Sequence, residues 1–340
     1  MTAPSRKRAT GRPTLADVAA AAGVSPITAS RALRATRGVD EQLSARVREA
    51  AEALGYVPDP AARALASAHS SQVAVLIPLL SNALFVDLLE GVQRVLRPAG
   101  LQTLIGVTHY QPAEEEALLR SYLAHRPAGL LVTGFDRTAA ARGLIERSRV
   151  PCVHLMETQA AGEAYAVGLS QDAAGAAMTE HLLARGRRRV AFVGAQLDPR
   201  VLQRLAGYRR VLQAHGLHDP GLELLDPAPS SIALGGVLLQ RLLAARPDVD
   251  AIFFCNDDLA QGGLLAALKA GLAVPQRVAV AGFNDLAGSD QWLPPLTTIR
   301  TPRAEIGERA ARMLLALLRG EAVDARQVDL GFELVVREST

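Results

Sequence analysis

The run Thr14-Leu-Ala-Asp-Val-Ala-Ala-Ala-Ala-Gly-Val-Ser-Pro-Ile-Thr-Ala-Ser-Arg-Ala-Leu33 reads as two helices and the turn between them. Leu15, Val18, Ala19 and Ala22 recur at helical spacing and give the first helix a single apolar stripe. Gly23 supplies the backbone freedom that ends it. Ser25 is placed to cap the next helix, with Pro26 at its first position, where a missing N–H costs nothing. On that second helix Ile27, Thr28 and Arg31 point outward, while Ala29, Ala32 and Leu33 face the first. A helix, a glycine turn and a second helix with a polar, cationic face make the layout of a DNA-reading helix-turn-helix. Taken alone, the same pattern also describes an ordinary helical hairpin at a domain edge.

Outward from this run, a third helix is expected over 41–54, with Leu43, Val47, Ala50, Ala51 and Leu54 on one face and Gly55-Tyr56-Val57-Pro58 as its stop. Residues 60–68 have high helix propensity, but Leu65 is their only sizeable apolar group, so a helix there needs a partner to persist. From Gln72 the pattern changes. Short apolar runs at 73–78, 102–107, 129–132, 151–155, 166–169, 189–194, 251–255 and 278–283 alternate with amphipathic segments such as 85–97, 114–125, 172–185, 201–214, 231–245, 259–270 and 303–319. Strand-helix alternation of this kind implies parallel sheets covered on both faces, and so many units imply two lobes.

Composition narrows the class. Of the 340 residues 49% are hydrophobic, enough for a sizeable core, yet no run is long enough to span a bilayer. The start of the chain is short and basic and has no apolar segment of the kind that directs export, so a cytoplasmic protein is expected. Cys152 and Cys255 each lie in an apolar, strand-like run and read as buried thiols. Residues 1–70 hold ten cationic side chains against six acidic ones, so a net charge of +4 sits on the helix-turn-helix end of a chain whose total is +3. A phosphate-binding head requires that asymmetry. No phosphate-cradling glycine loop, nucleophile elbow or metal-ligand spacing is present, so no enzyme, cofactor or metal is expected. Asp257 and Asp258 read as helix-capping, ligand or structural groups, not as a catalytic pair.

The segment 14–31 resembles the N-terminal signature of the lac repressor/galactose repressor family of bacterial transcription factors. Leu54-Gly-Tyr-Val-Pro58, Cys255-Asn-Asp-Asp258, Val280-Ala-Gly-Phe-Asn-Asp285 and Pro294-Pro-Leu-Thr-Thr-Ile299 follow in that family's order. Ile77-Pro-Leu-Leu-Ser-Asn82, Gly194-Ala-Gln-Leu-Asp-Pro-Arg200 and Asp329-Leu-Gly-Phe332 are similar to segments of its gluconate-utilisation repressors. The resemblance implies an all-α helix-turn-helix head plus an α/β core with the two-lobed, periplasmic-binding-protein-like type I fold and parallel sheets. It implies a disordered arm over 1–12, a DNA-binding domain over 13–58, a hinge helix over 59–70 and an effector-binding, dimerising core over 71–340. Lobe one then comprises about 71–169 and 300–327, and lobe two about 170–299 and 328–340, with crossings near 169, 299 and 328.

By the same resemblance Pro26, Ile27 and Arg31 read bases, and Arg31 can offer two donors to a guanine. Ser25, Thr28 and Ser30 are expected on the DNA phosphates, and Thr14 and Arg63 are also expected among the DNA-binding residues. Leu65 corresponds to the hinge leucine that wedges into the minor groove, its alternative being to pack on the core. Two such heads imply a homodimer on pseudo-palindromic double-stranded operator DNA. The effector is expected between the lobes at Ser81, Asn82, Phe85, His109, Asp172, Arg200, Arg204, Asn256 and Asn284. Arg204 corresponds to the arginine that holds sugar hydroxyls in relatives, and its planar fork suits a carboxylate. Asn284 stands where sugar-binding relatives carry aspartate, which removes repulsion toward an anionic ligand. Gluconate and 2-ketogluconate are the expected effectors. Arg200 either joins Arg204 or is a solvated loop charge. The resemblance implies a repressor of sugar-acid utilisation genes released from its operator by the effector, with co-repression as the alternative.

Overall fold

Residues 13–33, 40–57, 70–159 and 162–340 are described by the computed structural model, and the chain divides into two units between Ser70 and Ser71. The 1–12 arm, the 59–70 hinge up to residue 69, and with them Arg63 and Leu65, lie outside the described residues.

The first unit contains α1 (Leu15–Ala21), α2 (Pro26–Leu33) and α3 (Glu41–Ala53). Thr14 caps α1 reciprocally: its hydroxyl accepts from Asp17 N, and its own N–H donates to Asp17 Oδ2 at 2.8 Å. Gly23, at φ +64°, lets Val24 N reach back to Ala19 O at 2.9 Å, which closes the turn. Ser25 Oγ then accepts from Thr28 N at 3.1 Å and starts α2. The small core between the helices is Val18, Ala19, Ala22, Ala29, Ala32, Val47 and Ala51, with Leu15, Val24, Leu33 and Tyr56 packed at its edge. Its many alanines let the three helices approach closely.

The second unit is built on two parallel sheets. The first holds β1 (Gln72–Ile77), β2 (Gln102–Val107), β3 (Gly129–Thr133), β4 (Cys152–Glu157), β5 (Tyr165–Leu169) and, far along the chain, β11 (Gln327–Asp329), in the order β11-β5-β4-β3-β1-β2. The second holds β6 (Val190–Ala195), β7 (Glu223–Asp226), β8 (Ala251–Phe254) and β9 (Ala279–Ala281), in the order β7-β6-β8-β9. A two-stranded antiparallel ribbon, β10 (Thr298–Arg300) with β12 (Glu333–Val335), accompanies them. Helices α4 (Ala83–Leu96), α5 (Pro112–Ala124), α6 (Ala139–Ser148) and α11 (Arg303–Leu318) belong with the first sheet. Helices α7 (Gln171–Ala184), α8 (Pro199–Ala214), α9 (Ile232–Ala245) and α10 (Asp257–Lys269) belong with the second. The two-lobed parallel α/β architecture expected from the strand-helix alternation is therefore present.

Three helix pairs approach so closely that only glycine fits at the contact. A Cβ on Gly91 would collide with Ala304 O, and one on Gly307 with Leu88 O, where α4 meets α11. Gly175 and Gly207 make the same reciprocal fit between α7 and α8, against the carbonyls of Arg204 and Asp172. Gly235 and Gly262 repeat it between α9 and α10. The obstacle is backbone, which cannot rotate aside. Gly307→Ala should therefore destabilise the core by about 1–3 kcal/mol, read as a lower urea midpoint; an unchanged midpoint would show that the helices can part without cost.

Candidate functional site

In the second unit a cavity of about 150 Å³ opens between the two sheets' C-terminal strand ends. A water needs about 10–15 Å³ of such space, so there is room for roughly a dozen non-hydrogen atoms. Seven expected residues line it: Ser81, Asn82, Phe85, Arg200, Arg204, Asn256 and Asn284. Tyr110, Met156, Gln196 and Asn284 on its wall all have positive φ (+57°, +77°, +66° and +116°), a conformation that costs on the order of 1–3 kcal/mol per residue. Strained backbone thus gathers around the cavity.

Arg204, on α8, is buried, and its guanidinium lies 3.7 Å from the ring centre of Phe283. Nε donates to Gln171 Oε1 at 2.8 Å and Nη1 to Cys255 O at 2.6 Å. No carboxylate pairs with it among the described residues. Burial presses its pKa below the ordinary arginine value, against the pull of Asp198. An anion entering the cavity would relieve that cost.

Arg200 is neither a free partner for Arg204 nor a solvated charge. Its side chain is 7% exposed and stands among three carboxylates: Asp198 Oδ1 at 3.0 Å, Asp136 Oδ1 at 3.4 Å and Glu157 Oε1 at 3.6 Å. Burial works against its charge, but the three acids outweigh it and hold the guanidinium above its ordinary pKa. Asp136 follows β3 and Glu157 ends β4 of the first sheet, whereas Arg200 opens α8 beside the second, so the cluster ties the lobes across the cleft. Gln203 adds a bond to Glu157 Oε2 at 2.8 Å.

Behind Asp136 lies a second buried cluster. Arg137 Nε donates to Glu115 Oε1 at 3.0 Å and Nη2 to Gly134 O at 2.9 Å. His154 bonds Gly134 O through Nδ1 at 2.8 Å and stacks on Phe135. Burial, then Arg137, pushes the His154 pKa down to about 4, so the ring is neutral near pH 7. Burial raises the Glu115 carboxyl, with Arg137 opposing.

Two expected residues stand outside the cavity lining, each by one position. His109 is exposed and bonds Glu114 Oε2 at 2.7 Å; its neighbour Tyr110 faces the cavity instead. Successive left-handed residues, at +47° and +57°, turn the chain between them. Asp172 pairs with Arg210 on the exposed side of α7, and Gln171 takes the inward place beside Arg204. Asn256 lines the cavity, but its polar ends are engaged: Oδ1 accepts from Leu259 N as the α10 cap, and Nδ2 donates to Ser230 Oγ at 2.8 Å. Asn284 Oδ1 is buried with no hydrogen-bond partner among the described residues. Arg303 holds this strained residue by donating to its carbonyl while also gripping Asp87. Asp198, Ser230 and Asp258 complete the polar wall. Sequence reasoning passed over Tyr110, Asp198 and Ser230, though Asp198 lies inside the quoted segment 194–200.

On the first unit, Pro26, Ile27 and Arg31 are all exposed on one helix, Ile27 at 68%. Ser25 Oγ and Thr28 Oγ1 are 2.8 Å apart at its start. Thr14's hydroxyl is engaged with Asp17 Oδ2 at 2.8 Å, so its first role is to cap α1. Ser30 is half-buried on the same helix.

Residues 14–59 match the family described as bacterial regulatory proteins, lacI family, and residues 179–340 match a periplasmic binding protein-like domain. The HTH-type transcriptional regulator GntR of Pseudomonas aeruginosa is 60% identical, over 98% of this chain and 97% of its own. The crystal structure of the transcription regulator GntR from Chromobacterium violaceum is 50% identical, with a TM-score of 0.77 over 79% of this chain and 98% of that one. A LacI-family transcriptional regulator from Silicibacter pomeroyi, 35% identical, superposes with a TM-score of 0.90 over 96% of this chain and 99% of that one.

Proposed function

Because the chain belongs to the lacI family of bacterial regulatory proteins, we propose that it is a DNA-binding repressor released from its operator when an aldonate enters the Arg204 cavity. Gluconate is the first effector to test and 2-ketogluconate the second. The observation that carries this reading is a buried guanidinium with no carboxylate partner among the described residues, facing a cavity whose wall includes amide and hydroxyl side chains. A polyhydroxy acid supplies the missing anion and hydrogen-bonding groups for the rest of the wall. The exposed helix carrying Pro26, Ile27 and Arg31 supports the DNA half of the proposal. Neither Pro26 nor Ile27 can donate a side-chain hydrogen bond, so contact with thymine methyl groups is the reading they allow. A homodimer presenting two such helices to a pseudo-palindrome belongs to the same proposal.

Fluorescence anisotropy on DNA from the protein's own promoter region, at stated salt, tests the whole. Tight binding released by gluconate or 2-ketogluconate supports the proposal. Tight binding indifferent to both removes the effector assignment, and tighter binding on adding either makes the protein a co-repressor. Arg31→Ala should weaken binding to that promoter by roughly 5- to 150-fold, the equivalent of about 1–3 kcal/mol for a lost bidentate base contact. Scrambled DNA should lose much less, so equal losses on both would place Arg31 on phosphates.

A further inference from the structure

Two carboxylates line the cavity, and they are treated differently. Asp198 is matched by Arg200 at 3.0 Å. Asp258, in the first turn of α10, receives no hydrogen bond and no cation from any described residue, although it is largely withdrawn from water. Its carboxyl is raised above the ordinary aspartate value by burial alone, with no opposing charge or donor. Neither arginine of the cavity forms an ion pair with it. A buried carboxylate left unmatched by the protein is costly unless a ligand supplies donors.

We propose that Asp258 receives the hydroxyl end of the bound acid and excludes ligands that carry a second anionic group there. The inference rests on the aldonate reading of the Arg204 site. With the ligand's carboxylate at Arg204, its hydroxyls meet the rest of the wall, which includes two acceptors that no described residue satisfies: the Asp258 carboxylate and Asn284 Oδ1. Hydroxyls can donate to both. A carboxylate in place of the terminal hydroxymethyl group can donate to neither, and it would face Asp258 in a site shielded from water. An aldonate is accepted and an aldarate of the same chain length is refused.

Calorimetric titration of the full chain with gluconate and with glucarate tests this, since glucarate differs in having a carboxylate at carbon 6. The wild type should prefer gluconate by a hundredfold or more. Asp258→Asn keeps the size and removes the charge, and should shrink that preference at least tenfold, losing affinity for gluconate and gaining it for glucarate. Its thermal melt serves as the folding control, and Asp258→Ser gives a second uncharged side chain should the amide disturb the helix. A wild type that takes both acids equally overturns the inference, as does a preference unchanged in a folded Asp258 variant. A wild type that binds gluconate not at all overturns the aldonate reading itself, and this inference falls with it.

Discussion

Arg204→Ala protein is expected to bind its operator within a few-fold of wild type and to ignore gluconate at a hundred times the wild-type working concentration. Among the described residues no carboxylate pairs with this guanidinium, and a bidentate charge-assisted contact is the strongest single interaction it can offer an acid. Two hydrogen bonds to a charged group, at about 1.5–3 kcal/mol each, more than cover the roughly 2.7 kcal/mol that separates a hundredfold change. A ligand shifts a two-state equilibrium only by its preference for one state, so losing that contact removes most of the coupling. Truncation also strips donors from Gln171 Oε1 and Cys255 O, so some stability will be lost. Arg204→Lys separates the effects. It keeps the positive charge but not the fork, and should recover folding better than response. The measurement is release of promoter DNA against gluconate concentration. Release at wild-type concentrations by the alanine variant would place the carboxylate elsewhere in the cavity.

Glu115→Ala should cost the core about 3–5 kcal/mol, the penalty for leaving a buried cation unmatched. Arg137 has a side-chain exposure of 2%, and Glu115 is its carboxylate partner, at 3.0 Å. Removing the acid strands the guanidinium against carbonyls and the neutral His154. The double variant Glu115→Leu with Arg137→Met should regain most of the loss, because replacing both members with apolar groups avoids the desolvation that the pair must overcome. Urea denaturation of the single and double variants reads both. A single variant within about 1 kcal/mol of wild type would mean that water reaches the cluster. The cluster matters for the cleft because the same loop carries Asp136 to Arg200. Loosening it should therefore also blunt the response to effector in molecules that remain folded.

Much of this architecture was legible in advance. The alanine-rich spacing of 14–33, its glycine turn and its serine cap specify α1 and α2 almost residue by residue, and the apolar runs after Gln72 coincide with the long central strands. The strands left unread are short and half polar: β7 is Glu-Leu-Leu-Asp, and β10 and β12 carry Arg300 and Glu333, which pair with each other at their ends. Pairing of that kind is fixed by distant partners and leaves little local periodicity. Helix α6 is similarly quiet, since Arg142, Glu146 and Arg147 interrupt its small apolar face and Ala141 is its one buried residue. In the cavity, the resemblance found Arg204 and Asn284 because their chemistry is local to a motif. It missed by one residue at Tyr110 and Gln171, where left-handed backbone or the first turn of a helix decides which neighbour faces inward. The isolation of Asp258 had no sequence signal, because it consists in what fails to reach the side chain.

The reciprocal glycine contacts restrict how news of an occupied cleft can travel. With carbonyls interlocked at α4–α11, α7–α8 and α9–α10, no helix can slip along its neighbour without backbone meeting backbone. Sliding within these three helix pairs is thereby opposed, and tilting of one lobe against the other is the motion that leaves their contacts intact. The available joints are the passages from β5 into α7, from β10 into α11 and from β11 into β12. Any such tilt would have to open the Arg200 cluster, whose carboxylates come from both sides of the cleft.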